Sequence, residues 1–157
     1  MRRKISMVFI IIPCIILLVI AFLGFNRIFP LAFQLHKPVN QKSGIAIEEY
    51  DIVSYFNNPE PVKGYAAYPY EWKGAVWFFS TQKNLETFKS SPESYEPKYG
   101  GYCTKAISSG FAAPANPEIW TIKDNELFFF SSKKVKENFL NDSEELIKMS
   151  DKKWASQ

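Results

Sequence analysis

Residues 5–25 contain no side chain that would be charged in a bilayer, and they lack the polar stripe of a helix that faces solvent. These 21 residues, at about 1.5 Å of rise each, span roughly 31 Å, the thickness of a hydrocarbon core. Pro13 lies inside the run. In water it would cost about 3 kcal/mol, but a transmembrane helix tolerates it, so it predicts a kink. A cleaved signal peptide has a shorter apolar region with small residues before the cut, and Ala21-Phe22-Leu23 is no such site. The pattern predicts a retained single-pass transmembrane anchor over 5–25, after a basic tail, 1–4, that carries Arg2, Arg3 and Lys4. Those cations hold the N-terminus inside the cytoplasmic (inner) membrane and put the C-terminal domain outside the cytoplasm.

Residues 26–44 read as a juxtamembrane linker. The stretch 28–35 is apolar again around Pro30 and suits the headgroup level, and 37–43 is polar with a proline. From 45 to 157 the pattern is that of a globular domain. Ile47, Tyr50 and Val53 fall at helical spacing, which predicts a short helix over 47–56 ended by Asn57-Asn58-Pro59. Loose alternation over 63–71 and the apolar run 75–79 predict two strands, with Trp72-Lys73-Gly74 as the turn. Ser80 or Thr81 caps a helix that runs to about Ser90 and is ended by Pro92. A short helix over 104–109 is stopped by Gly110, and 119–122 with 127–130 form a hairpin around Lys123-Asp124-Asn125-Glu126. Two helices follow, about 133–140 and 143–155, the second with Asp142 as cap and Glu145 at capping-box spacing. The implied class is α+β: a small antiparallel sheet with short helices packed on one face, preceded by the transmembrane helix.

Charge changes the picture little. The formal net charge of +3 originates near the N-terminus; with Arg2, Arg3, Lys4 and Arg27 set aside the remainder is near neutral. That argues against nucleic acid and against a polybasic lipid-binding face on the domain. The 14 Phe, 8 Tyr and 4 Trp predict a tightly packed core, with an aromatic-lined pocket as the sharper alternative. Cys14 belongs to the apolar run and Cys103 to the domain, so an internal disulfide is excluded on geometry. His36 is the single histidine and lies in the linker, which rules out a His-dependent triad or His-rich metal site within the globular domain.

Four blocks carry a resemblance. They are Tyr50-Asp51-Ile52-Val53-Ser54-Tyr55-Phe56; Lys73-Gly74 with Trp77, Phe79, Phe88, Pro92 and Tyr95; Tyr99-Gly100-Gly101-Tyr102-Cys103; and Asn116-Pro117 with Trp120. Together they resemble the YHS domain, a small module often associated with heavy metals, especially copper. The resemblance covers essentially 45–154 and is nearest to an exported, membrane-anchored, stand-alone branch. It implies that the cysteines of metal-binding members fall where this chain has Ser54, Ser80 and Asn84. Soft ions such as Cu(I) need thiolate or thioether donors, so the usual cage is missing, and a metal cofactor, copper by resemblance, is left without those ligands.

Among candidate chemical groups, Cys103 follows two glycines. A turn at Gly100-Gly101 would set its sulfur near a helix N-terminus, where free N–H groups favour thiolate. The competing reading makes Cys103 a small buried hydrophobe. Asp51 reads as a buried acid or metal ligand, or else as a helix cap or a solvated surface residue. The tyrosines and tryptophans at 68, 70, 72, 77, 99, 102 and 120 read as core, and Lys133, Lys134 and Lys136 as a solvated helix face. No paired carboxylates, phosphate loop or nucleophile–base pair appears, so the sequence does not point to an enzyme. Three function classes stay open: a membrane-tethered accessory or binding module of the cell envelope linked to metal handling, a thiol-based redox sensor or partner using Cys103, and a structural domain that presents its surface to another envelope protein.

Overall fold

The computed structural model describes residues 8–156. The expected basic tail and the first residues of the expected anchor, 5–7, lie outside them. Helix α1 covers Val8–Phe25 and continues through Pro13. Its 18 residues correspond to about 27 Å, short of the roughly 30 Å of a hydrocarbon core. No helix among the described residues is long and apolar enough to cross a membrane.

The segment expected as a free linker is instead built into the domain. After α1 the chain turns at Arg27, whose φ is +56°. Its guanidinium donates to Asn40 Oδ1 at 3.0 Å and to the Gln41 carbonyl. Strand β1 (Phe29–Pro30) pairs antiparallel with β6 (Phe111–Ala112), and Leu31 and Val39 are buried. Asn40 is buried too; its amide side chain donates to the Gly101 carbonyl at 3.1 Å and its backbone N–H to the Gly100 carbonyl at 2.8 Å. Gly100 sits at φ +61°, and a Cβ there would collide with the Pro38 carbonyl. Glycine at that position is the condition for the segment to lie against the domain.

Strands β2 (Gln41–Lys42) and β3 (Ile45–Ala46) follow and extend a four-stranded sheet of order β2-β3-β5-β4, in which β4 is Tyr65–Trp72 and β5 is Ala75–Phe79. The β4–β5 turn is Lys73-Gly74, both residues at positive φ as a tight hairpin requires. Ile45 joins β5 in parallel, opposite Val76. A third sheet is the hairpin of β7 (Asn116–Lys123) and β8 (Glu126–Phe130), turned at Asp124-Asn125, again both at positive φ. The single antiparallel sheet expected from the pattern is therefore three small sheets with one parallel pair. Part of the difference arises because the supposed linker supplies two of the strands, β1 and β2, and β3 follows directly after it.

The helix expected over 47–56 is broken in two. Ile47–Glu49 is a 3₁₀ turn with all three residues at positive φ, and α2 begins only at Ser54–Asn57. Further on come α3 (Gln82–Ser90), α4 (Pro92–Tyr95), a 3₁₀ turn at Lys98–Gly101, α5 (Thr104–Ser108), α6 (Lys133–Asn141) and α7 (Ser143–Trp154). Thr81 caps α3 by accepting from Asn84 N, and Ser132 caps α6 by accepting from Val135 N. Asp142 stands at the N-cap of α7, but its side chain makes no cap bond, so the expected capping box is not formed. Pro92 ends α3 and also starts α4, where its missing N–H costs nothing.

Leu127–Phe130 in β8 is buried on both faces and divides the core. Leu127 and Phe129 join Trp77, Phe79 and Phe88, whereas Phe128 and Phe130 join Tyr99, Tyr102 and Phe139. One strand thus welds the four-stranded sheet to the C-terminal helices.

Candidate functional site

Asp51 is fully buried and gathers four donors. Its Oδ1 accepts from Val53 N at 3.0 Å, which starts the turn into α2. Its Oδ2 accepts from Ser80 N at 2.8 Å, Ser80 Oγ at 2.6 Å and Asn84 Nδ2 at 2.7 Å. Ser54 closes the other side: its hydroxyl donates to the Asp51 carbonyl at 2.6 Å and accepts from Val62 N at 3.1 Å. The Asp51 N–H in turn donates to the Val62 carbonyl at 2.8 Å. The three positions that the resemblance marks as ligands thus all bond to Asp51: Ser80 and Asn84 through its carboxylate and Ser54 through its main-chain carbonyl. Each of Ser54, Ser80 and Asn84 was visible in the sequence, but their convergence on Asp51 was not, since 29 and 33 residues separate it from Ser80 and Asn84. The Asp-x-x-Ser spacing of 51–54 is the one local signal of the arrangement.

A soft metal does not fit here. The donors are a carboxylate, two hydroxyls and an amide, with no sulfur, and they already satisfy one another. No group of three or more His, Cys, Asp or Glu side chains is placed to hold a metal ion among the described residues.

Beside this knot runs an open polar groove of about 450 Å³, lined among others by Tyr50, Lys63, Asn116, Glu118 and Ser131. Tyr50 donates to Glu118 at 2.9 Å, and the Lys63 ammonium lies 4.0 Å from the Tyr50 ring centre. Burial and the Glu118 carboxylate both push the Tyr50 phenol upward. Trp120, Lys133 and Lys136 line its continuation, a depression of about 630 Å³ that shares Tyr50 and Glu118. Lys133 and Lys134 are exposed, as a solvated face requires.

The remaining motif residues are chiefly structural. Tyr55 is buried, donates to the Pro117 carbonyl at 2.9 Å and packs edge-on against Trp120 and Phe129. Burial holds its phenol far above the usual tyrosine range. Phe56 meets Tyr95 edge-on, and Phe88 packs against Trp77 and Phe79. Gly74 makes the hairpin turn, and Gly101, at φ +80°, leaves room for Ile47. Tyr99 donates to Asp151 at 3.0 Å, and burial followed by that carboxylate raises its phenol. Tyr102 donates to the Lys37 carbonyl at 3.0 Å, which pins the juxtamembrane segment once more.

Cys103 is the residue before α5, as the two glycines imply, but it is only 3% exposed. Its thiol approaches Ser131 Oγ at 3.6 Å, and its backbone bridges Phe129. Helix α5 has five residues, too few to aim much of a dipole at the sulfur.

Residues 53–99 match the family model of the YHS domain. The chain carries a YHS domain. Such domains are often linked to metal handling. The matched stretch holds Ser54, Ser80 and Asn84 but stops short of Cys103, and Asp51 lies two residues before it. No curated protein and no solved structure matches the chain.

Proposed function

We propose that this protein is a membrane-tethered, extracytoplasmic accessory module of the cell envelope, in which the YHS fold serves as a binding scaffold and not as a thiolate metal cage. The observation that carries the reading is the closed hydrogen-bond knot of Asp51, Ser54, Ser80 and Asn84 at the positions where sulfur donors are implied. Hydroxyl and amide groups already satisfied by the buried Asp51 (Ser80 and Asn84 at its carboxylate, Ser54 at its main-chain carbonyl) have nothing to offer Cu(I). The thiol reading draws no support from a 3% exposed Cys103 in the core. The open groove around Tyr50 and Glu118 is the surface left for a partner protein of the envelope.

What supports the tether is the state of α1. Leu17, Leu18 and Phe22 are more than 60% exposed, and the helix has no polar face to turn to water. An apolar rod of this kind is stable only inside an apolar phase. Arg2, Arg3 and Lys4 supply the orientation.

Two measurements test the reading. A C-terminal alkaline phosphatase fusion is expected to be active and a green fluorescent fusion dark, and the opposite pattern refutes the topology. The folded chain is expected to lose Cu(I) to a strong chelator. Stoichiometric retention would overturn the scaffold reading.

A further inference from the structure

The domain is near neutral overall, yet its charge and its exposed apolar side chains are not evenly spread. Exposed large hydrophobics gather around the β1–β6 unit: Phe33 is 68% exposed, Leu35 66% and Phe111 39%. Single exposed apolar residues are ordinary on a soluble domain, but these three share one small structural unit. Pro30 pairs with Phe111, and Leu31 N donates to the Gly110 carbonyl at 2.9 Å. Phe33 ends the 3₁₀ turn Leu31–Phe33 that follows β1.

The segments that build this unit, 26–42 and 104–113, contain Arg27, Lys37, Lys42 and Lys105 and not one Asp or Glu. Elsewhere acidic residues are interspersed with the lysines and some pairs form: Lys73 meets Glu96 at 2.7 Å, and Lys98 meets Glu126 at 2.9 Å and Asp151 at 3.5 Å, although Lys133 and Lys134 on α6 have no carboxylate partner among the described residues. Lys37 and Lys105 are exposed, with no carboxylate partner among the described residues. Exposed aromatics beside unpaired cations are the chemistry of an anionic bilayer surface, where rings enter the boundary and lysines meet phosphate.

The unit is also held at the right place. Phe25 closes α1, and Arg27, two residues later, bonds to Asn40 and Gln41, so the exit of α1 is fastened to the domain and not swung on a tether.

We infer that the domain is seated on the bilayer it is anchored in, with Phe33, Leu35 and Phe111 as a lipid-contacting collar and Lys37 and Lys105 toward anionic headgroups. The inference rests on the tether reading and goes beyond it, since a tethered domain need not touch the surface. Seating fixes which way the Tyr50–Glu118 groove faces and limits partners to those that approach along the membrane.

Hydroxyl-radical footprinting of the unmodified full chain in vesicles of mixed anionic and zwitterionic phospholipid tests this without any variant. Tyr65, 59% exposed on the edge strand β4, is the water-facing control. Corrected for intrinsic reactivity, Phe33, Leu35 and Phe111 are expected to oxidise several-fold more slowly than Tyr65. Purely zwitterionic vesicles are expected to lessen that protection. Collar residues as reactive as Tyr65, with Leu17 and Leu18 protected, would overturn the seating and leave the tether standing. Reactive Leu17 and Leu18 would overturn the tether as well. A collar exposed in lipid vesicles but protected in native membranes would assign the face to a protein, and the lipid inference would be wrong.

Discussion

Replacing Asp51 by asparagine is the sharpest test of the hydrogen-bond knot that ties α2, β5 and α3. The substitution keeps size and shape but turns one acceptor oxygen into a donor. With the amide oxygen turned to Ser80 and Asn84, the new NH₂ faces the Val53 N–H and leaves it unpaired in the core. A buried unpaired N–H costs about 1–3 kcal/mol, and three contacts lose the charge that made them strong, at about 0.5–1.5 kcal/mol each. Allowing for overlap within one network, the loss is about 3–5 kcal/mol, a large fraction of the roughly 5–15 kcal/mol that holds a domain together. The melting temperature should fall by roughly 10–20 °C. Denaturant unfolding followed by tryptophan fluorescence measures this directly, because Trp77 is buried in β5 and reports on core exposure. Glu118→Gln, on an exposed pair with Tyr50, serves as control and should stay within about 0.5 kcal/mol. If Asp51→Asn unfolds within about 1 kcal/mol of the parent, the knot is not what holds α2, β5 and α3 together.

Alkylation of the folded chain should leave Cys103 untouched until denaturant is added, and Cys103→Ser should cost about 1–3 kcal/mol; rapid labelling of Cys103 with unchanged stability would restore the thiol reading. Stability should fall as pH rises above about 10, where an unfolded tyrosine gives up its proton while Tyr55, Tyr99 and Tyr102, all raised chiefly by burial, keep theirs. The unfolded state then binds fewer protons than the native one, and Tyr55 alone removes about 1.4 kcal/mol per pH unit. Tyrosinate absorbance that titrates fully near pH 10 with no loss of stability would contradict the burial of these rings.

What was legible in the sequence followed short-range rules. Ala75–Phe79, the Lys73-Gly74 turn, the Thr81 cap of α3 and the Asp124-Asn125 hairpin each depend on residues within a few positions, and each formed where the pattern placed it. The 47–56 helix broke because Asp51 spends its side chain on Val53 N and on partners from β5 and α3, and no helical period records such distant partners. Residues 26–44 looked like a linker for a related reason. Their polarity and Pro30 and Pro38 suit a loop, but Val39 and Asn40 are buried by contact with Gly100 and Gly101, sixty residues away.

The knot around Asp51 also explains how three elements distant in sequence are held together. A metal held by side chains from α2, the end of β5 and the first turn of α3 would clamp three elements that the chain brings together from afar. Asp51 joins the same three elements through Val53, Ser80 and Asn84, at distances of 2.6–3.0 Å. Charge-assisted hydrogen bonds in a dry interior supply a comparable clamp without depending on an ion that must be captured. On the proposed reading, recognition falls to the surface, to the Tyr50–Glu118 groove and to the face around β1 and β6. On that same reading the tie between Arg27 and Asn40 does more than pack, since it would give a module that works at its surface a fixed orientation.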